Sequence, residues 1–107
     1  DHAALELDLI RVKGKTKPAR VFALLGDSAL KTSGAFQDLQ VRHQEMLAAY
    51  RAQRWVEARA LIEECLKLDA AQARLTTLYA LYTARIEASE ASPPGAAWDG
   101  VFIAETK

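Results

Sequence analysis

The chain has 107 residues, enough for one domain and short for two. Half are hydrophobic and 26% are charged, the balance of a folded globular protein. The 14 basic and 14 acidic side chains cancel, which removes any global electrostatic case for nucleic acid or an anionic membrane.

The chain opens with Leu5, Leu7 and Leu9 alternating, then Ile10 and Val12. A period of two predicts a strand, and the phase slip at Leu9–Ile10 predicts a bulge or burial of both faces. Gly14 offers the permissive backbone of a turn, and Pro18 removes a ladder donor before the return strand. The return, ARVFALL, places Val21, Ala23 and Leu25 on one face and Phe22 and Leu24 on the other. Both faces are apolar. An isolated hairpin is only marginally stable in water, and doubly apolar strands belong inside a covered sheet. The hairpin is therefore expected either to lean on the helices that follow, leaving one face to solvent or a partner, or to have been cut from a parent domain.

GDSALKTSG, residues 26–34, reads as a polar, small-residue linker. Three amphipathic segments follow. Phe36, Leu39, His43, Met46, Leu47 and Tyr50 form one helical stripe, and Ala58, Leu61, Ile62, Cys65 and Leu66 a second. Ala71, Leu75, Leu78, Tyr79, Tyr82 and Ile86 form the third, which Asp69 with Gln72 is expected to open as a capping box. SPPG, from Ser92 to Gly95, ends it. The tail WDGVFIAETK is expected to dock as an extended segment, with Trp98 and the run from Val101 to Ile103 packed back onto the helices or hairpin.

The short AQR link makes the first two helices an antiparallel αα-hairpin. YRAQRWVEARALIEECLKLD resembles the core of a tetratricopeptide repeat, with Trp55 at the turn and Ala58 at the close helix contact. The match is partial: the helix-one glycine is missing, the exit proline is Ala70, and no second full repeat follows. Because such repeats need about three units to bury a continuous core, one unit must find its cover elsewhere.

Three ordered motifs together resemble the C-terminal end of bacterial class III adenylate/guanylate cyclases. That family closes its catalytic domain with a hairpin of the form LDxIxVKGKxxPVxVYxLL, and this chain has LDLIRVKGKTKPARVFALL at residues 7–25. Some members continue with LAAYRAxxWxxA and finish on PP…WDGVF…TxK. Here those read LAAYRAQRWVEA (47–58) and PPGAAWDGVFIAETK (93–107). The resemblance implies a parent enzyme that converts a nucleoside triphosphate into a 3′,5′-cyclic nucleotide with two metal ions, Mg or Mn, at a dimer interface. Its metal-holding aspartates and its transition-state Asn/Arg pair would lie upstream. By the same resemblance Lys13 and Lys15 are the candidate triphosphate contacts, since an ammonium on a short turn is a mobile point charge for phosphate oxygens. Without the resemblance, Lys13, Lys15 and Lys17 read as a solubilising turn that guards strand edges.

The expected architecture is α+β. It comprises a closing hairpin over residues 1–26, a linker over 27–34, a three-helix tetratricopeptide-like module over 35–92 and a docking tail over 93–107. The fragment itself is expected to be inactive. Its expected partners are the rest of the catalytic domain, a second copy, or a protein bound by the helical module through Trp55 and Trp98; nucleic acid and direct membrane contact are not expected. The other reading is a self-standing tetratricopeptide-like interaction module.

Remaining residues read as structural. His43 lies on the apolar stripe and is expected to be a packed, hydrogen-bonded histidine. Cys65, the single cysteine, cannot form an intramolecular disulfide, so a reducing cytoplasmic setting is the expectation, with any membrane anchor carried by the parent. It lies on a buried stripe, without the base or exposure a nucleophile needs. Glu63 and Glu64 diverge by about 100° around a helix and form no focused pair. No set of His, Cys and carboxylates has metal-ligand spacing. No apolar run approaches the roughly 18 residues of a bilayer span, and the first residues lack a signal peptide. With no initiator methionine, the chain reads as a piece of a longer one.

Overall fold

The computed structural model describes residues 3–12, 17–69 and 75–104. Its architecture is α+β, with strands β1 (Ala3–Val12), β2 (Ala19–Gly26) and β3 (Phe102–Ala104) around helices α1 (Ser28–Thr32), α2 (Gly34–Arg51), α3 (Trp55–Asp69) and α4 (Thr76–Ala91). The sheet order is β2-β1-β3. β1 pairs antiparallel with β2 from Ala3↔Gly26 to Ile10↔Ala19. β3, which the tail contributes, lies parallel to β1 in the register Ile10↔Phe102, Arg11↔Ile103 and Val12↔Ala104.

The expected bulge exists, but it lies at Leu7 rather than at Leu9–Ile10. Glu6 pairs with Phe22 and Asp8 with Val21, so Leu7 has no partner in the ladder. The extra residue reverses the phase of the strand beyond it. Leu5 is thereby buried on the helix side, and Asp8 shares that side with Val21. The other side of β2 stays open: Phe22 is 57% and Leu24 71% exposed. The turn lysines Lys13 and Lys15, with Gly14, lie outside the described residues; Lys17 and Pro18 are exposed at the entry to β2.

The segment read as a linker carries α1. Asp27 nucleates it, its Oδ1 accepting from the backbone N–H groups of Ala29 and Leu30. Ser33 then caps α2 by accepting from Phe36 N. All six residues of the first predicted stripe are buried, and so are Ala58, Leu61, Ile62 and Cys65 from the second. Between the two helices the chain turns at Gln53 with φ 63° and folds back. Each large apolar side chain placed in this core contributes about 1.5–3 kcal/mol.

Asp69 does not open a capping box. It is the last residue of α3, and its carboxylate accepts from Leu75 N at 2.9 Å. α4 starts after Leu75, which makes no side-chain cap. The local signal was misread because a carboxylate can satisfy an orphan helix amide from six residues away as well as from the N-cap. Leu75, Tyr79, Tyr82 and Ile86 are buried, whereas Ala71 and Gln72 lie outside the described residues. α4 ends at Ala91, next to Ser92 and the two prolines. No described helix is long and apolar enough to cross a membrane.

Candidate functional site

The helices and the tail converge on the bulge of β1. A bulge interrupts the ladder locally and leaves backbone groups to be satisfied by something else. Here side chains from two helices take that part. His43 of α2 lies 2.5 Å through Nε2 from the Glu6 carbonyl, and Tyr82 of α4 donates its hydroxyl to the Leu7 carbonyl at 2.7 Å. A carbonyl only accepts, so Nε2 of His43 carries the proton and Nδ1 accepts from the Tyr79 hydroxyl at 2.8 Å. Burial lowers the His43 pKa below its ordinary value and outweighs the Glu6 carbonyl, which acts in the opposite direction.

The carboxylates flanking the bulge are both paired. Asp8 takes a two-pronged contact from Arg85 of α4, Nη1 at 3.0 Å and Nη2 at 2.8 Å. Their side chains are only 10% and 14% exposed, so this pair works where water screens it poorly. Burial opposes the Arg85 charge, but the hydrogen bonds and charge of Asp8 more than offset it and raise the pKa. Glu6 is shared by Arg51 of α2 at 2.9 Å and Arg20 of β2 at 2.8 Å. α2, α4 and both hairpin strands thus meet on two adjacent turns of charge.

The tail closes over this junction. The Phe102 ring stacks on the Arg85 guanidinium at 3.7 Å, and Tyr82 approaches it from another side at 5.2 Å. Arg85 Nε is buried with no hydrogen-bond partner among the described residues. Trp98 donates from Nε1 to the Val101 carbonyl. Gly100, at φ +81°, lets the tail pass so close to Arg51 that a Cβ there would lie 2.9 Å from the Arg51 side chain. A cleft of about 330 Å³ remains between Ser89 of α4 and the tail residues Trp98, Phe102 and Ile103.

Trp55 and Trp98, expected at an interaction surface, are brought together. Their ring centres are 6.2 Å apart, and Tyr50 lies edge-on to both at 5.9 and 5.4 Å. Both are half-buried and pack against the core, where such rings supply structure first. Cys65 is fully buried, with its thiol pushed up to about 11 by burial, far from a nucleophile's range. Among the described residues, no group of three or more His, Cys, Asp and Glu side chains could hold a metal ion.

The sequence reading missed Glu6, Asp8 and Arg85. The signal was present: two carboxylates inside an apolar strand need partners, and Arg85 follows Tyr82 at helical spacing on a buried stripe. Compared with protein-family models, with curated proteins and with solved structures, the chain matches none.

Proposed function

We propose that this chain is the C-terminal region of a class III nucleotide cyclase, supplying the closing hairpin of the catalytic domain and a helical module that holds it. The observation that carries the reading is the unfinished outer face of the hairpin. Phe22 and Leu24, within the motif LDLIRVKGKTKPARVFALL, are 57% and 71% exposed. Adjacent large apolar side chains on the open face of a strand mark a surface that another layer ordinarily covers; a neighbouring part of the parent's catalytic domain would cover this one.

In this reading the division of labour follows from the chain's own residues. α2 and α4 hold β1 at its bulge through His43, Tyr82 and Arg85. β1 then runs directly into Lys13 and Lys15, whose ammonium groups meet the triphosphate oxygens of ATP or GTP. Mg or Mn ions would supply charge neutralisation and activation of the attacking hydroxyl, and aspartates outside this chain would hold them. The parent works as a homodimer on the cytoplasmic side of a membrane-anchored sensor.

The interaction-module reading is less well supported. His43, Tyr82 and Arg85, three polar side chains on the inner faces of α2 and α4, are already used on Glu6, Leu7 and Asp8 of β1.

The test is the coding sequence upstream of Asp1 together with an assay of residues 1–107. Two spaced aspartates and an Asn/Arg pair within the preceding 150 or so residues, and no cyclic nucleotide from the isolated chain, are the expected results. Their absence upstream, or turnover by the isolated chain, overturns the proposal.

A further inference from the structure

We infer that the tail strand β3 is a positioning strap for the end of β1, fastened by the stack of Phe102 on Arg85; its consequence for substrate rests on the cyclase reading above. The register carries the argument. β2 pairs with β1 as far as Ile10↔Ala19, whereas β3 pairs with Ile10, Arg11 and Val12. Among the described strand pairings, the last two residues before Lys13 are thus held by β3 alone. A strand of three residues has little stability of its own, so something else must keep it docked.

Arg85 is that fastening. Its guanidinium gives two nitrogens to Asp8 and places Cζ over the Phe102 ring, 3.7 Å from the ring centre. A cation stacked on a ring away from water gains more than one at an exposed site. The same arginine therefore ties α4 to the bulge and the tail to α4. Two further contacts hold the path of the tail: Trp98 against Tyr50, and Arg11 with Asp99 at 3.7 Å. Release of Phe102 frees Arg11 and Val12 while leaving the bulge contacts of His43 and Tyr82 in place. Phe102 and Arg85 are positioning residues for the end of β1, the strand that precedes Lys13 in the sequence.

Phe102→Ala tests this in residues 1–107. Phe102 is 37% exposed, so the core does not depend on it. Amide hydrogen exchange at whichever of Arg11 and Val12 directs its N–H toward β3 is expected to accelerate about tenfold, with Leu5 unchanged, and Phe102→Trp, which keeps a π face, restores the slow rate. Unchanged exchange at Arg11 and Val12, equal acceleration at Leu5, or rescue by Phe102→Leu as complete as by tryptophan each overturns the strap. In the intact natural polypeptide the same alanine variant raises the KM for nucleoside triphosphate about fivefold with kcat within twofold, the pattern of lost uniform binding. A fall in kcat with KM unchanged contradicts the positioning role. A polypeptide that makes no cyclic nucleotide at all removes the cyclase reading, and the exchange result then decides the strap by itself.

Discussion

Tyr82 donates its hydroxyl to the carbonyl of Leu7, the one residue that the bulge leaves out of the β1–β2 ladder. The contact joins residues 75 apart in sequence. It explains why a tyrosine occupies a fully buried position on α4: the ring fills the core while the hydroxyl completes a strand. Replacement by phenylalanine keeps the packing and leaves the carbonyl without that donor. Tyr82→Phe is expected to cost about 1–2 kcal/mol in urea unfolding; no measurable cost would show that the carbonyl has another donor.

The Asp8–Arg85 pair carries a larger penalty if broken than if removed. Asp8→Asn strips the compensating charge from an arginine whose side chain is 10% exposed. The expected loss is about 3 kcal/mol, while replacing both residues with leucine recovers part of it. A single-variant cost below about 0.5 kcal/mol, as for a surface pair, contradicts the geometry.

His43 makes stability depend on pH. Unfolded, its imidazole takes up a proton near the ordinary value of 6.5, whereas burial holds the folded ring neutral. The folded pKa is depressed, so the contribution is complete above about 6.5 and is lost as pH falls through the folded value. Unfolding free energy should fall as pH is lowered below about 6.5, where the unfolded imidazole takes up its proton and the buried one does not. His43→Gln, which can still donate and accept, should flatten the slope. An unchanged slope in that variant assigns the titration to another group.

Gly100 is set at φ +81° against Arg51. Gly100→Ala meets both left-handed strain and a side chain that must move, at an expected cost of about 1–2 kcal/mol. The near-ultraviolet circular dichroism of the Tyr50, Trp55 and Trp98 cluster should weaken in step. Retention of the full signal would mean that the tail takes its path without the glycine.

Phe22 and Leu24 offer the opposite case. Phe22→Thr with Leu24→Thr should change the stability of the isolated chain by no more than about 0.5 kcal/mol per site, since both side chains are exposed. If the proposed parent domain covers the row, in the intact natural polypeptide the same pair should lower the melting temperature and the activity. Equal effects in the two settings would mean that no parent sheet lies against it.

The helical part of this fold was legible because its apolar spacing survives packing: the stripe from Phe36 to Tyr50 is buried as a whole. The hairpin was legible from its alternation, although the bulge lies two residues earlier than the phase slip suggested, since Asp8 turns inward to meet Arg85. The helix after Asp27 was hidden by a polar, small-residue composition that a single capping carboxylate outweighs. The junction itself was illegible at the level of periodicity. Its members are single polar residues from strands and helices far apart in sequence, and only the fold brings Glu6, His43 and Arg51 or Asp8, Tyr82 and Arg85 together.

The most direct test of the account is turnover by the intact natural polypeptide that contains these residues. Incubated with ATP or GTP and Mn²⁺, it is predicted to release a 3′,5′-cyclic nucleotide, with the KM for triphosphate raised when Lys13 and Lys15 are both changed to alanine. No cyclic product from either nucleotide, or a double variant indistinguishable from the parent, would contradict it.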